Sequence, residues 1–149
     1  KAGPQILAGA VGPKAMSMSA DFAEGLAGFS FNADLKEIND SFNRVKEAFS
    51  QKKISPRLIT SFWFGLGDTG RDDIKTHLTR YLGWMGKDLA KNLSETAGFS
   101  GNQDDLYNFL VKIKDLGATD TLLVPTSRDI DQLSMAEEVV SQFNQQPTN

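Results

Sequence analysis

The sequence contains no cysteine and only one histidine, His77. Without cysteine there is no disulfide framework, no thiolate nucleophile and no cysteine-ligated zinc or iron–sulfur site. A single imidazole cannot build a multi-histidine metal centre, so no metal site is predicted, and it argues against a Ser-His-Asp triad. The composition therefore excludes several classes of metal-dependent and nucleophilic enzyme.

Long apolar runs and an excess of basic charge are also missing. The longest apolar runs, such as Phe62–Leu66, fall far short of the ~20 residues that cross a bilayer, so no membrane partner is expected. No charged segment followed by an apolar one opens the chain, which predicts no signal peptide and a cytoplasmic protein. The net charge is −3, whereas general nucleic-acid binders are usually basic. No nucleic-acid partner is expected.

The remaining composition is that of a globular protein. The chain has 149 residues, of which 40% are hydrophobic and 23% are charged, and this length gives room for one domain. We expect that domain to cover residues 1–144, followed by a polar tail over residues 145–149.

Apolar stretches, each followed by a helical pattern, organise the chain. Strands that alternate with helices pair in parallel through right-handed crossovers. The predicted order is β-α-β-α-β-α-α-β-α, an α/β fold with four βα units and an extra helix before the last strand. Both an open doubly wound sheet and part of a (β/α)₈ barrel have this order. The predicted strands cover residues 5–12, 26–31, 57–66 and 120–126.

Glycine, proline and capping residues predict where the helices begin and end. The first helix is expected to begin at Pro13, run to about Ala23 and stop at Gly25. The other predicted boundaries are Asn32 or Asp34 before the second helix, Gly83 and Gly86 within the third, Gly98–Gly101 after it, Gly117 after the fourth and Asp129 before the last.

A glycine-rich segment, Gly65–Gly70, matches the G-x-G-x-x-G pattern of dinucleotide sites between a predicted strand and a predicted helix. The chain after it stays helical, where such a site needs a second strand with a ribose-binding acid. Asp68, Asp72 and Asp73 also crowd the position that a phosphate would take. We interpret the segment as a connector, with a small open-sheet nucleotide-binding protein as an alternative.

The turn after the first predicted strand is a candidate anion site. Small residues leave its backbone N–H groups accessible, and a helix N-terminus carries partial positive charge. Lys14 in the first helical turn is unfavourable for the helix unless an anion binds nearby; the alternative is a tight turn with a solvated lysine. At the end of the second strand, Ser30 could donate a hydrogen bond to a phosphate bound at that turn, and Phe29 or Phe31 could contact a ring system. The candidate residues are Gly9, Ala10, Val11, Gly12, Pro13, Lys14, Phe29 and Ser30.

Two stretches of the chain resemble the luciferase-like family of flavin- or deazaflavin-dependent oxidoreductases. Pro4–Gly25, read as PQILAGAVGPKAMSMSADFAEG, is similar to one family signature, with Glu24 where the family usually has Asp. Asp104–Val139 is similar to the C-terminal signature, in which Leu-Gly-Ala precedes Leu-Leu-Val-Pro-Thr and then an Asp-x-x-Gln-Leu helix. Both signatures have matching spacing, so the resemblance covers nearly the whole chain.

The resemblance implies the C-terminal half of a TIM barrel, because a complete barrel needs about 250 residues. It also implies that Gly9–Lys14 and Gly28–Ser30 hold the phosphate of FMN or of a deazaflavin. The cofactor would supply hydride or oxygen chemistry for an oxidoreductase or monooxygenase acting on a small molecule.

The resemblance assigns no catalytic residue to this chain, because the family takes those residues largely from the first four barrel strands. The isolated chain is therefore not expected to be a complete enzyme. Open strand edges in a half-barrel favour self-association or pairing with a missing N-terminal half. A half-barrel that binds partners without catalysis is the alternative function.

Overall fold

The structure, a computed structural model, describes residues 3–10 and 12–145. Its strands are β1 (Leu7–Ala8), β2 (Gly25–Ala27), β3 (Arg57–Leu66), β4 (Phe99–Gly101) and β5 (Asp120–Pro125). Its helices are α1 (Pro13–Ser19), α2 (Leu35–Ser50), α3 (Gly70–Tyr81), α4 (Lys87–Thr96), α5 (Gln103–Asp115) and α6 (Ile130–Asn144), with a 3₁₀ turn over Gly83–Met85. None of the helices within these ranges is long and apolar enough to span a membrane.

The contacts group into two compact units, of which the first comprises Lys1–Ser30, Asp34–Ser61 and Ile113–Leu122. In this unit β2 pairs in parallel with β1 and with residues 57–59 of β3. β5 also pairs with β3, and the Thr119 N–H donates to the Leu58 carbonyl oxygen at 2.8 Å. The apolar positions of α2 recur every three or four residues and form its buried face, Ile38, Phe42, Val45 and Phe49.

The second unit comprises Phe31–Ala33, Phe62–Lys112 and Leu123–Asn149. Here residues 64–66 of β3 pair in parallel with β4. The side chain of Gln132 in α6 makes two hydrogen bonds with the backbone of Leu66, at 2.7 and 2.8 Å. The core contains an aromatic cluster of Phe62, Phe99 and Phe109 and an aliphatic cluster of Ile74, Leu78, Leu82, Ala90 and Ala97.

The start of the chain differs from the sequence prediction. Within the described part of the predicted first strand, β1 covers only Leu7–Ala8, and α1 stops at Ser19 instead of Ala23. The Ser19 hydroxyl donates to the Met16 carbonyl oxygen at 2.7 Å, and turns follow. Gly25 does not end a helix but begins β2. A Cβ at Gly25 would collide with the Arg57 carbonyl, so glycine is needed there for close strand pairing.

The short strand β4 was not predicted, because Gly98–Gly101 has the composition of a turn. Three residues are too few to show an alternating pattern, and pairing with the end of β3 determines their conformation. The second strand is also shorter than predicted, because β2 covers Gly25–Ala27 and not residues 26–31. Several helix boundaries are confirmed. Asp34 and Asp129 cap α2 and α6 through side-chain hydrogen bonds, and Gly86 and Gly117 adopt positive φ angles at helix ends.

Candidate functional site

The first unit contains a cavity of about 390 Å³ beyond the carboxyl ends of β1 and β2. One wall is formed by the turn after β1 and by β2 with the loop after it. The opposite wall is formed by α2, and β3 contributes one side chain. The lining residues are Gly9, Ala10, Leu26, Ala27, Gly28, Phe29 and Ser30, then Glu37, Ile38, Ser41, Phe42 and Arg44, and Thr60.

The cavity brings together half of the residues that the sequence predicted for the site. Gly9, Ala10, Phe29 and Ser30 line it. Among the described residues, Gly12, Pro13 and Lys14 lie at the start of α1 and do not contribute to the lining. Val11 lies outside the described residues.

Backbone hydrogen bonds hold the loop after β2 in place. The Gly28 N–H donates to the Ile59 carbonyl oxygen at 2.8 Å, and the Ser30 N–H donates to that of Ser61 at 2.9 Å. The Ser61 hydroxyl donates to the Gly28 carbonyl oxygen at 2.8 Å. A Cβ on Gly28 would lie 2.9 Å from the Ile59 oxygen. The ladder between β2 and β3 thus continues to Ser30 and leaves the Phe29 side chain 45% exposed.

Of the predicted site residues, Ser30 is the least suited to donate a hydrogen bond to a phosphate. Its hydroxyl donates to Glu37 Oε2 at 2.7 Å and accepts the Asp34 N–H at 3.0 Å. Asp34 in turn accepts the Glu37 N–H at 2.8 Å. Asp34 therefore caps the N-terminus of α2 and Glu37 adds a second negative charge there, so this helix end does not suit an anion.

The N-terminus of α1 has the opposite electrostatic character. Its N-cap is Gly12, no side chain caps it, and its first turn contains no acidic residue. Lys14 adds positive charge there and is exposed. This end of the helix suits an anion better than the start of α2 does.

A polar row on α2 faces the cavity and was not predicted from the sequence. Glu37, Ser41 and Arg44 lie four and three residues apart, which places them on one side of the helix. They run beside the buried apolar face of α2. Their spacing in the sequence was the one signal that could have identified them. Charged residues next to an apolar row usually face solvent, and only the cavity shows that these three line a site.

Thr60, like Ser30, supplies a deeply buried hydroxyl to the cavity lining. The residue is 2% exposed, and among the described residues its hydroxyl has no hydrogen-bond partner. The structure has no fully enclosed, unpaired side-chain polar atom in its described part, so this hydroxyl opens onto the cavity. A buried hydroxyl is normally hydrogen-bonded, which makes Thr60 available to a polar ligand.

The glycine-rich segment lies in the second unit, where its glycines meet a packing requirement. A Cβ on Gly65 would collide with the Gly70 backbone, and the converse also holds. The Gly67 N–H donates to the Gly101 carbonyl oxygen at 2.9 Å, and the Gly70 N–H donates to that of Gly67 at 3.1 Å. These bonds use N–H groups that a phosphate would need, and they support the interpretation of a connector.

His77 lies on α3 in the second unit and is half-buried. Its ring stacks on Tyr81 with centroids 5.9 Å apart and an interplanar angle of 14°. Partial burial, together with the nearby positive charge of Arg80, lowers the pKa of His77 below its ordinary value. The imidazole does not line the cavity of the first unit.

Comparison with solved structures identifies similar folds. The chain is similar to an F420-dependent secondary alcohol dehydrogenase solved with an F420-acetone adduct, with TM-score 0.64 and 13% identity over 89% of this chain and 46% of that one. It is also similar to the coenzyme F420-dependent tetrahydromethanopterin reductase from Methanopyrus kandleri, with TM-score 0.67 and 14% identity over 90% and 49%. A third similar structure is that of apo-MsnO8, with TM-score 0.63 and 16% identity over 99% and 53%.

These similarities establish the fold. The chain spans about half the length of the solved structures it matches. No family model and no curated protein sequence matches it. The chain therefore has an α/β fold with a parallel sheet that corresponds to half of a TIM barrel, which is the fold that the resemblance implied.

Proposed function

We propose that this chain is the cofactor-binding half of a flavin- or deazaflavin-dependent oxidoreductase or monooxygenase, and that it holds the phosphate end of FMN or of a deazaflavin such as F420. One observation carries the proposal. The cavity lies against the Gly9–Ala10 turn and the Gly28–Ser30 loop, in a fold shared with two F420-dependent enzymes.

The residues of the cavity fit such a cofactor. Thr60 offers a buried hydroxyl, and the uncapped start of α1 with Lys14 adds positive potential from outside the lining. The exposed ring of Phe29 is suited to contact a ring system. When bound, the cofactor would supply the hydride or oxygen chemistry. This chain would bind and orient it, while groups that contact the small-molecule substrate would come from elsewhere.

Direct binding tests the proposal. We expect FMN or F420 to bind the chain and riboflavin, which lacks the phosphate, to bind more weakly, as measured by titration of cofactor fluorescence. Ser41→Phe places a ring in the cavity from a half-buried position on α2 and should abolish binding. Asn43→Phe, at an exposed position of the same helix outside the lining, is the matched control.

Two results would contradict the proposal. One is that neither FMN nor F420 binds the folded chain, which would favour a half-barrel that only binds partner proteins. The other is that both phenylalanine variants reduce cofactor binding equally, which would locate binding away from the cavity.

A further inference from the structure

We infer that Arg44 of α2 is the principal phosphate contact of the cavity, and that Glu37 and Thr60 bind hydroxyl groups of a polyol chain attached to that phosphate. The inference rests on the proposed function for the class of ligand. It goes further in two ways. It assigns the direction in which the ligand lies along α2, and it assigns the positive charge that binds the phosphate to Arg44 and not to Lys14.

Arg44 has the position and the unused hydrogen bonds that a phosphate contact needs. It lines the cavity, and no residue within the described ranges forms a hydrogen bond or ion pair with its guanidinium. Asp40, one turn earlier on α2, is already bonded to Lys36 Nζ at 2.6 Å. Lys14 lies outside the lining. A guanidinium can also donate two parallel hydrogen bonds to a phosphate.

The polar row makes the cavity electrostatically asymmetric. Glu37 and Arg44 are seven residues apart, which is about 10 Å along an α-helix. Glu37 accepts one hydrogen bond from Ser30, and a carboxylate can accept several more. A phosphate near Glu37 would be repelled, whereas hydroxyl donors would be bound there. A ligand with a phosphate at one end and hydroxyls along a chain therefore fits in one direction only.

The middle of the cavity suits a hydroxylated carbon chain. Leu26, Ile38 and Phe42 contribute apolar surface, and Thr60 and Ser41 contribute hydroxyls. The Thr60 hydroxyl is buried and has no partner among the described residues, so it gains a hydrogen bond from a polyol without losing one to the protein. Ribitol 5-phosphate has this pattern of groups, and it is part of FMN.

Binding of ribitol 5-phosphate to the whole chain tests the assignment without the flavin ring. We expect Arg44→Gln to weaken binding at least about tenfold, because a charged hydrogen bond is lost. Arg44→Lys should recover part of this loss, and Lys14→Gln should change affinity by less than about twofold, since its charge lies outside the cavity. Thr60→Val, which preserves side-chain shape, should weaken ribitol and ribitol 5-phosphate alike. Calorimetry or NMR titration measures the dissociation constants of each variant.

The inference is overturned if ribitol 5-phosphate does not bind, or if Lys14→Gln weakens it more than Arg44→Gln. It is also overturned if Arg44→Gln weakens ribitol and ribitol 5-phosphate equally. These outcomes are separate from failure of the proposed function. A chain that binds ribitol 5-phosphate through Arg44 but neither FMN nor F420 contradicts only the function. A chain that binds FMN through Lys14 contradicts only the inference.

Discussion

Gly25 and Gly83 differ in how much room each has for one added carbon. A Cβ on Gly25 would overlap the backbone of Arg57 in the neighbouring strand, whereas nothing lies within 4 Å of a Cβ on Gly83. Backbone cannot move aside as a flexible side chain can. We expect Gly25→Ala to lower the free energy of unfolding by about 2–3 kcal/mol, the cost of overpacking.

Urea unfolding of the two variants measures this difference. Gly83→Ala is the matched control and should stay within about 0.5 kcal/mol of the wild type, as open surface positions do. An equal effect of the two substitutions would show that the close approach of β2 and β3 does not limit stability.

His77 should make stability fall in weakly acidic solution. Its pKa is lowered in the folded chain, so the unfolded chain binds the proton more readily between the lowered and the ordinary value. The contribution of His77 is therefore complete above the ordinary histidine pKa and is lost as the pH falls below it. We expect His77→Gln to lose less stability than the wild type between about pH 7.5 and about pH 5.5.

NMR can check the same effect directly, because His77 is the only histidine of the sequence. Its titration in the folded chain should have a lower midpoint than in the urea-unfolded chain. A folded midpoint at or above the unfolded one would contradict the prediction, and the stability difference between wild type and variant should then reverse or vanish.

At the scale of elements, β4 depends on one side chain of α3. Arg71 Nη1 donates to the Ala97 carbonyl oxygen at 2.6 Å, and Arg71 Nε donates to Ser100 Oγ at 3.1 Å. Hydrogen bonds from a charged group contribute about 1.5–3 kcal/mol. We expect Arg71→Met to destabilise the chain by about that amount and to speed hydrogen exchange of the Gly67 amide, which donates to Gly101 in β4.

Arg80→Met is the control for this prediction, because Arg80 lies exposed in the last turn of the same helix. It should leave the exchange of the Gly67 amide unchanged. If both variants accelerate that exchange equally, α3 as a whole is destabilised, and Arg71 has no specific role in holding β4.

Most elements were predictable from local pattern, and β4 shows why some were not. The bounds of β3 agree with the prediction because seven of its ten residues are β-branched, aromatic or aliphatic. α2 was recognisable from its apolar spacing and the Asp34 cap. β4 has three residues between glycine-rich turns, and its conformation comes from pairing with β3 and from Arg71, contacts that no local window contains.

The same distinction applies to the candidate site. The Gly9–Ala10 turn and the Gly28–Ser30 loop were predictable, because small residues at the carboxyl ends of parallel strands mark a ligand edge. The role of Ser30 could not be seen, since its hydrogen bonds with Glu37 and Asp34 depend on how the chain turns into α2. Arg44 and Thr60 come from separate elements, and only the folded unit brings them to one cavity.

At the scale of the whole molecule, the decisive property is that the chain corresponds to half of a barrel. Within the first unit, β1 pairs only with β2 and β5 pairs only with β3 among the described strands. A closed barrel has no such edges. Ile6 next to β1 is 49% exposed and Leu122 in β5 is 55% exposed. Open edges that carry apolar side chains promote association between chains.

We therefore expect the isolated chain to self-associate at low micromolar concentration, and Ile6→Lys with Leu122→Lys to shift it toward monomer, because edge lysines oppose strand pairing. Sedimentation velocity measures both states. Ile130→Lys, at an exposed position at the start of α6, is the control and should not change association. A sharp monomeric peak for the wild type would show that the edges of β1 and β5 do not need a partner. If Ile130→Lys shifts the chain toward monomer as much as the edge lysines do, association results from general surface hydrophobicity and not from the strand edges.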